Sequence, residues 1–173
     1  MMLKLPSETE PLGKLTDCHA IVAVDTREKL VLPFSRLKTQ TATLAVGDYS
    51  ILGAETLFAV ERKSLDDLAN CCGQERERFE RELLKLRGYK FRRLLVVGSE
   101  TDILKGNYHS QIRPRAVLAS LAAWEIRHDL PIQFELTPES AGKRVERWIY
   151  WWCREQILMA NRLLRSNEGD AGQ

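Results

Sequence analysis

The sequence predicts an α/β domain with a mixed sheet covered by helices, and three observations carry that prediction. Short apolar, β-branched runs recur along the chain, and from residue 57 onward they alternate with segments of helical period. A chain of 173 residues, 44% of them hydrophobic, suits one ordinary core and is too short for two. The apolar spacing switches cleanly between periods of two and 3.6, which marks separate strands and helices rather than one repeating unit.

The elements follow in order. Residues 1–17 carry Pro6, Pro11, Gly13 and charges without an apolar period, and residues 166–173 are small, polar and acidic, so both ends read as frayed tails around a single domain over 18–165. Residues 20–24 form a strand-length apolar run, which places Asp25 at a strand end. Residues 41–46 alternate threonine with apolar side chains, Gly47-Asp48 bends the chain, and 49–52 and 57–60 follow as antiparallel neighbours around Gly53. Leu65 and Leu68 begin a helical pattern that Gly73 interrupts. Residues 75–87 then form a strong helix with Phe79, Leu83 and Leu86 on one stripe. Residues 94–97 are a strand, 114–128 a helix and 131–136 a short strand, and Pro138 opens a last helix to about residue 164.

Composition excludes several classes. Lys and Arg number 26 against 24 Asp and Glu, a formal charge of +2, which rules out a histone-like polycation while permitting a local basic face. No window approaches the roughly 18 uninterrupted apolar residues of a bilayer span, and the first residues lack a secretory core, so the expectation is a cytoplasmic protein with no membrane partner. Cys18, Cys71, Cys72 and Cys153 show no zinc-ligand spacing and read as buried thiols in a reducing compartment. His19, His109 and His128 are scattered and read as surface or hydrogen-bonded side chains rather than ligands.

The chemistry concentrates in Gly47-Asp48 and Glu61-Arg62-Lys63-Ser64-Leu65-Asp66-Asp67. On a strand Glu61 and Lys63 project to one face and Arg62 to the other. With Asp48 on the adjoining strand or bend, two carboxylates and an ammonium form a hard-oxygen site for Mg²⁺ or Mn²⁺, with a cation left to orient water or offset charge on a phosphate. Taken alone, Glu-x-Lys is also what a charged, exposed strand looks like.

The order Val24-Asp25-Thr26-Arg27-Glu28, Gly47-Asp48-Tyr49, Glu61-Arg62-Lys63-x-x-x-Asp67 resembles the nuclease domain of the XPF/Hef-type structure-specific endonucleases, with weaker similarity through 78–82 and 94–97. The resemblance implies a restriction-endonuclease-like fold and a Mg²⁺- or Mn²⁺-dependent DNA endonuclease acting at branched or flap-like DNA. It implies Asp48, Glu61 and Asp25 as the catalytic and metal-binding acids, Asp25 as the acidic neighbour of the metal beside the ligands Asp48 and Glu61, and Lys63 as the catalytic lysine. Arg27, Glu28, Arg62 and Asp67 are its supporting residues. Two of these have structural alternatives: Ser64-x-x-Asp67 also reads as a helix-capping pair, and Arg62 as the partner of an acid. Relatives usually append a tandem helix-hairpin-helix region, which does not follow residue 134 here, so a stand-alone nuclease domain of a bacterium or phage, associated with the nucleoid, is expected.

Residues 74–93 hold eight Lys or Arg against four Glu. Such interleaving reads equally as a self-stabilised solvated helix or as a face on which Arg76, Arg78 and Arg81 hold a DNA backbone. Trp148, Tyr150, Trp151 and Trp152 on the last helix read first as core packing and second as a subunit interface, which keeps a homodimer open. The expected role is DNA repair, recombination or phage DNA processing. The alternative is a non-catalytic DNA-binding or scaffolding subunit, against which the intact acidic set speaks.

Overall fold

A computed structural model describes residues 20–166. The predicted tails, apart from Ser166, lie outside the described residues, as do Cys18 and His19. Six strands and five helices follow one another: β1 (Ile21–Asp25), β2 (Lys38–Ala42), β3 (Tyr49–Ile51), β4 (Phe58–Ser64), α1 (Leu65–Cys72), α2 (Arg76–Leu86), β5 (Phe91–Val97), α3 (Glu100–Lys105), α4 (Pro114–His128), β6 (Ile132–Glu135) and α5 (Pro138–Ser166). The sheet order is β2-β1-β3-β4-β5-β6. β3 is antiparallel to both neighbours, while β1/β2, β4/β5 and β5/β6 are parallel. The α/β class and mixed sheet are therefore as the sequence predicts.

Two strand assignments differ. The threonine-rich strand lies at Lys38–Ala42 and pairs in parallel with β1, not antiparallel with β3. Parallel pairing needs a crossover of about a dozen residues, and segment 26–37 supplies it without a helix, so no periodicity advertised it. β5 begins at Phe91, so Arg92 and Arg93 belong to a strand, where Arg93 folds over the Phe91 ring. The short helix α3, capped by the Ser99 hydroxyl on the Asp102 N–H, has too few turns to show a period in sequence.

Two apolar clusters sandwich the sheet. Leu68, Phe79, Leu83, Leu86 and Trp124 from α1, α2 and α4 pack on Ala59, Leu94 and Val96. On the opposite face Ala141, Val145 and Ile149 of α5 pack on Val22, Tyr49, Phe58, Val60 and Leu95. Trp148 and Trp152 join this second cluster, the latter edge-on to Phe58. Tyr150 and Trp151, on the outer side of the same helix, are 37% and 51% exposed, so core packing accounts for only part of the aromatic run. His128 corrects another expectation: it is buried beside the inward face that carries Trp124, and among the described residues neither ring nitrogen has a hydrogen-bond partner. Burial pushes the Cys71 thiol up to about 12 and that of Cys72 up to about 11, which makes both unreactive. Cys153 is only partly buried.

The crossover segment is fastened to α5 and β3. Glu146 accepts the backbone N–H groups of Ser35, Arg36 and Leu37 at 2.7, 2.6 and 3.1 Å, and the Tyr49 hydroxyl accepts that of Leu32 at 3.0 Å. Burial opposes the Glu146 charge, but these N–H groups outweigh it and hold the carboxyl below its ordinary value. Its stabilisation is thus present above the unfolded carboxyl range and is lost as pH falls through the folded value. Glu146→Ala is expected to cost about 2–3 kcal/mol at pH 7 and less in acid, measured by urea unfolding at pH 7 and pH 3.5.

Candidate active site

The site is built where β3 enters the sheet beside β4. Gly47 has φ +81°, and a side chain there would crowd the Val60 carbonyl at 3.2 Å, so the bend favours glycine. The bend delivers Asp48 to β4: its N–H donates to the Val60 carbonyl at 2.9 Å, and its Oδ2 accepts the Arg62 N–H at 2.7 Å. On β4 the alternation of side chains holds. Glu61 and Lys63 face the α1/α2 layer, where Lys63 Nζ lies 2.6 Å from Glu61 Oε1 and 5.1 Å from the centre of the Phe79 ring.

A cavity of about 160 Å³ opens there, and Asp48, Glu61 and Lys63 all line it, with Arg27 on one side and Arg78, Glu82 and Lys85 of α2 on another. Burial, then repulsion from Glu61, pushes the Asp48 carboxyl up to about 7. Glu61 is raised by burial, against the attraction of Lys63. Burial works against the Lys63 charge, but Glu61 more than compensates and holds the ammonium above its ordinary value. Asp48 Oδ1 and Glu61 Oε2 receive no hydrogen bond among the described residues.

Comparison with known proteins bears on this site. The ERCC4 domain matches residues 24–143, a span that holds Asp48, Glu61 and Lys63. The chain belongs to the ERCC4 domain family. The fold is similar to that of XPF from Aeropyrum pernix, with a TM-score of 0.61 and 19% identity over 88% of this chain and 75% of that one. XPF from Aeropyrum pernix in complex with DNA also scores 0.61 at 19% identity, covering 79% and 66%. No curated protein matches significantly. The XPF-type resemblance read from the motifs is therefore correct, and so is the fold it implies.

In this ERCC4 domain the remaining motif residues take different places. Arg62 points away from Lys63 and forms a fork-to-fork ion pair with Glu28, Nε–Oε2 3.0 Å and Nη2–Oε1 3.2 Å, which ties the loop after β1 to β4. Ser64 caps α1 by accepting the Asp67 N–H at 3.1 Å while its hydroxyl donates to Asp67 Oδ2 at 2.7 Å, so Asp67 closes a cap. Asp25 is buried at the end of β1 next to Asp48, whose carbonyl accepts its N–H at 2.9 Å, but its side chain does not line the cavity.

The three arginines of α2 also separate. Arg78 lines the cavity and pairs with Glu75 and Glu82. Arg76 is spent on Glu80 and on the Ser120 hydroxyl of α4, and Arg81 is exposed away from the lining. Lys85 was not singled out by sequence, and Glu82 entered only within the weaker similarity over 78–82, although their i+7 and i+4 spacing from Arg78 puts all three on one helical face.

The donor set suits a hard divalent cation. Two carboxylates that repel each other, one of them raised to about 7, each retain an oxygen without a hydrogen bond, and a cation between them would relieve both strains. Among the described residues no group of three or more His, Cys, Asp or Glu side chains could hold a metal, so solvent or phosphate oxygens would complete the shell, as Mg²⁺ tolerates. Without metal, the raised Asp48 binds a proton more tightly folded than unfolded, so its own contribution to stability falls as pH rises from about 4 to about 7. Mn²⁺ is expected to raise the melting temperature more at pH 8 than at pH 6, a difference that thermal melts with and without metal will measure.

Proposed function

We propose that this ERCC4 domain is a metal-dependent DNA endonuclease that hydrolyses phosphodiester bonds at branched or flap-like DNA, in repair, recombination or phage DNA processing. The observation that supports it most is the convergence of Asp48, Glu61 and Lys63 on one cavity, in a chain of this family. Among the described residues no helix is long and apolar enough to cross a membrane.

In this reading Asp48 and Glu61 hold Mg²⁺ or Mn²⁺, which when bound polarises the scissile phosphate and acidifies water. Lys63 does the rest from the protein side. Its ammonium, kept protonated by Glu61, offsets the charge that grows on the phosphate oxygens or holds the attacking water in line. Arg62 contributes through its backbone, since its N–H fixes the Asp48 carboxylate while its side chain is committed to Glu28. The α2 cations Arg78 and Lys85 line the same cavity and favour the approach of a phosphate backbone.

The test is cleavage of labelled flap, fork, duplex and single-stranded DNA with Mg²⁺, Mn²⁺ or EDTA. Scission that requires metal and is fastest on a branched substrate is the expected result. Binding of DNA without cutting under any metal would replace this reading with that of a scaffolding subunit.

A further inference from the structure

Asp25 and Arg27 adjoin the cavity, yet the chemistry above uses neither. The Asp25 carboxylate is 1% exposed and already engaged on both oxygens. Oδ1 accepts the Arg27 backbone N–H at 2.9 Å and its Nε–H at 2.6 Å, and Oδ2 accepts the Leu44 N–H at 2.8 Å. To ligate a cation Asp25 would have to give up bonds that fix the loop after β1 and the segment before Gly47.

Arg27 presents the opposite picture. Its guanidinium is pinned at Nε by Asp25 and at Nη2 by the Leu44 carbonyl at 3.1 Å, while the side chain stays 67% exposed and lines the cavity with Asp48, Glu61 and Lys63. Nη1 makes no hydrogen bond among the described residues. A planar fork held at two corners with one edge open is preorganised to bind a phosphate oxygen pair, because little rotamer freedom remains to be lost. It also places positive charge where two carboxylates would otherwise repel the substrate.

We infer that Arg27 binds a backbone phosphate of the DNA at the rim of the cavity, and that Asp25 is a positioning residue acting through Arg27 rather than a ligand of the metal. This rests on the nuclease reading above.

The experiment compares full-length wild type, Arg27→Ala, Arg27→Lys, Asp25→Asn and the Asp25→Asn/Arg27→Ala double variant. Three measurements are made: Mn²⁺ affinity by calorimetry, binding of a fluorescein-labelled flap duplex in EDTA across a KCl series, and cleavage kinetics giving kcat and KM. Arg27→Ala is expected to weaken DNA binding about tenfold and to reduce the salt slope by about one, with Mn²⁺ affinity unchanged. Arg27→Lys should restore the slope but only part of the affinity. Asp25→Asn should keep Mn²⁺ affinity and raise KM, and the double variant should bind no worse than Arg27→Ala alone, because the two act as one unit.

Loss of Mn²⁺ binding in Asp25→Asn, an unchanged slope in Arg27→Ala, or additive losses in the double variant would each overturn the assignment. If Asp25→Asn does not fold, the slopes and Mn²⁺ affinities of the Arg27 variants decide it. A wild type that neither binds Mn²⁺ nor cuts any DNA overturns the nuclease reading itself, a result visible without any variant.

Discussion

Lys63→Met is expected to lower the cleavage rate by about 10²–10³-fold while leaving DNA binding nearly intact. Methionine keeps the volume packed against Phe79 and removes only the charge, so the loss isolates what the ammonium does. The same change leaves Glu61, 4% exposed, without its partner. Breaking a buried pair from one side costs about 3 kcal/mol, and here the cost depends on pH. Burial already raises Glu61, so without Lys63 the carboxylate takes up a proton more easily as pH falls, and the penalty shrinks from pH 8 to pH 5. Single-turnover cleavage with saturating protein gives the rate, and thermal melts at pH 5 and pH 8 give the stability. Wild-type cutting by this variant, with unchanged melting, would remove Lys63 from the mechanism.

Gly142→Ala is expected to destabilise the protein by about 3 kcal/mol, or roughly 6–12 °C in melting temperature. A Cβ at this position would lie 2.1 Å from the Pro33 carbonyl oxygen and 3.0 Å from its carbon, both backbone atoms. Neither can swing aside, because the crossover segment is tied down at Ser35, Arg36 and Leu37 by Glu146, one turn further along the same helix. The position is helical, so alanine would otherwise gain about 1 kcal/mol over glycine, and the steric term must win against that preference. Urea unfolding measures the difference; a stabilised Gly142→Ala protein would mean that the segment shifts at no cost.

The central fold was readable because its elements announce themselves. Buried strands such as β4 and β5 carry continuous apolar runs, and α2 and α4 carry stripes that end on buried side chains. What sequence misplaced has a common cause: it depends on partners distant in the chain. Nothing in Lys38–Ala42 states that it lies parallel to β1, since the crossover is irregular. The site was similarly half visible. Asp48, Glu61 and Lys63 follow from a bend and a period of two, both local. The commitment of Asp25 to Arg27 and Leu44, and of Arg76 to Ser120, depends on which oxygen meets which donor, and sequence spacing carries no such information.

The two faces of β4 carry incompatible loads, and this makes register a determinant of activity. Glu61 and Lys63 look into the cavity, whereas Arg62 between them is clamped to Glu28 on the other side. A strand that slipped by one residue would turn the Arg62 guanidinium into the cavity, away from Glu28, and carry the Glu61–Lys63 pair to the α5 layer. The fork-to-fork pair and the Gly47 bend therefore act as a frame lock. Insertions in the turn at Gly53 should be tolerated, while a single residue inserted between Val60 and Glu61 should extinguish cutting even in protein that still folds.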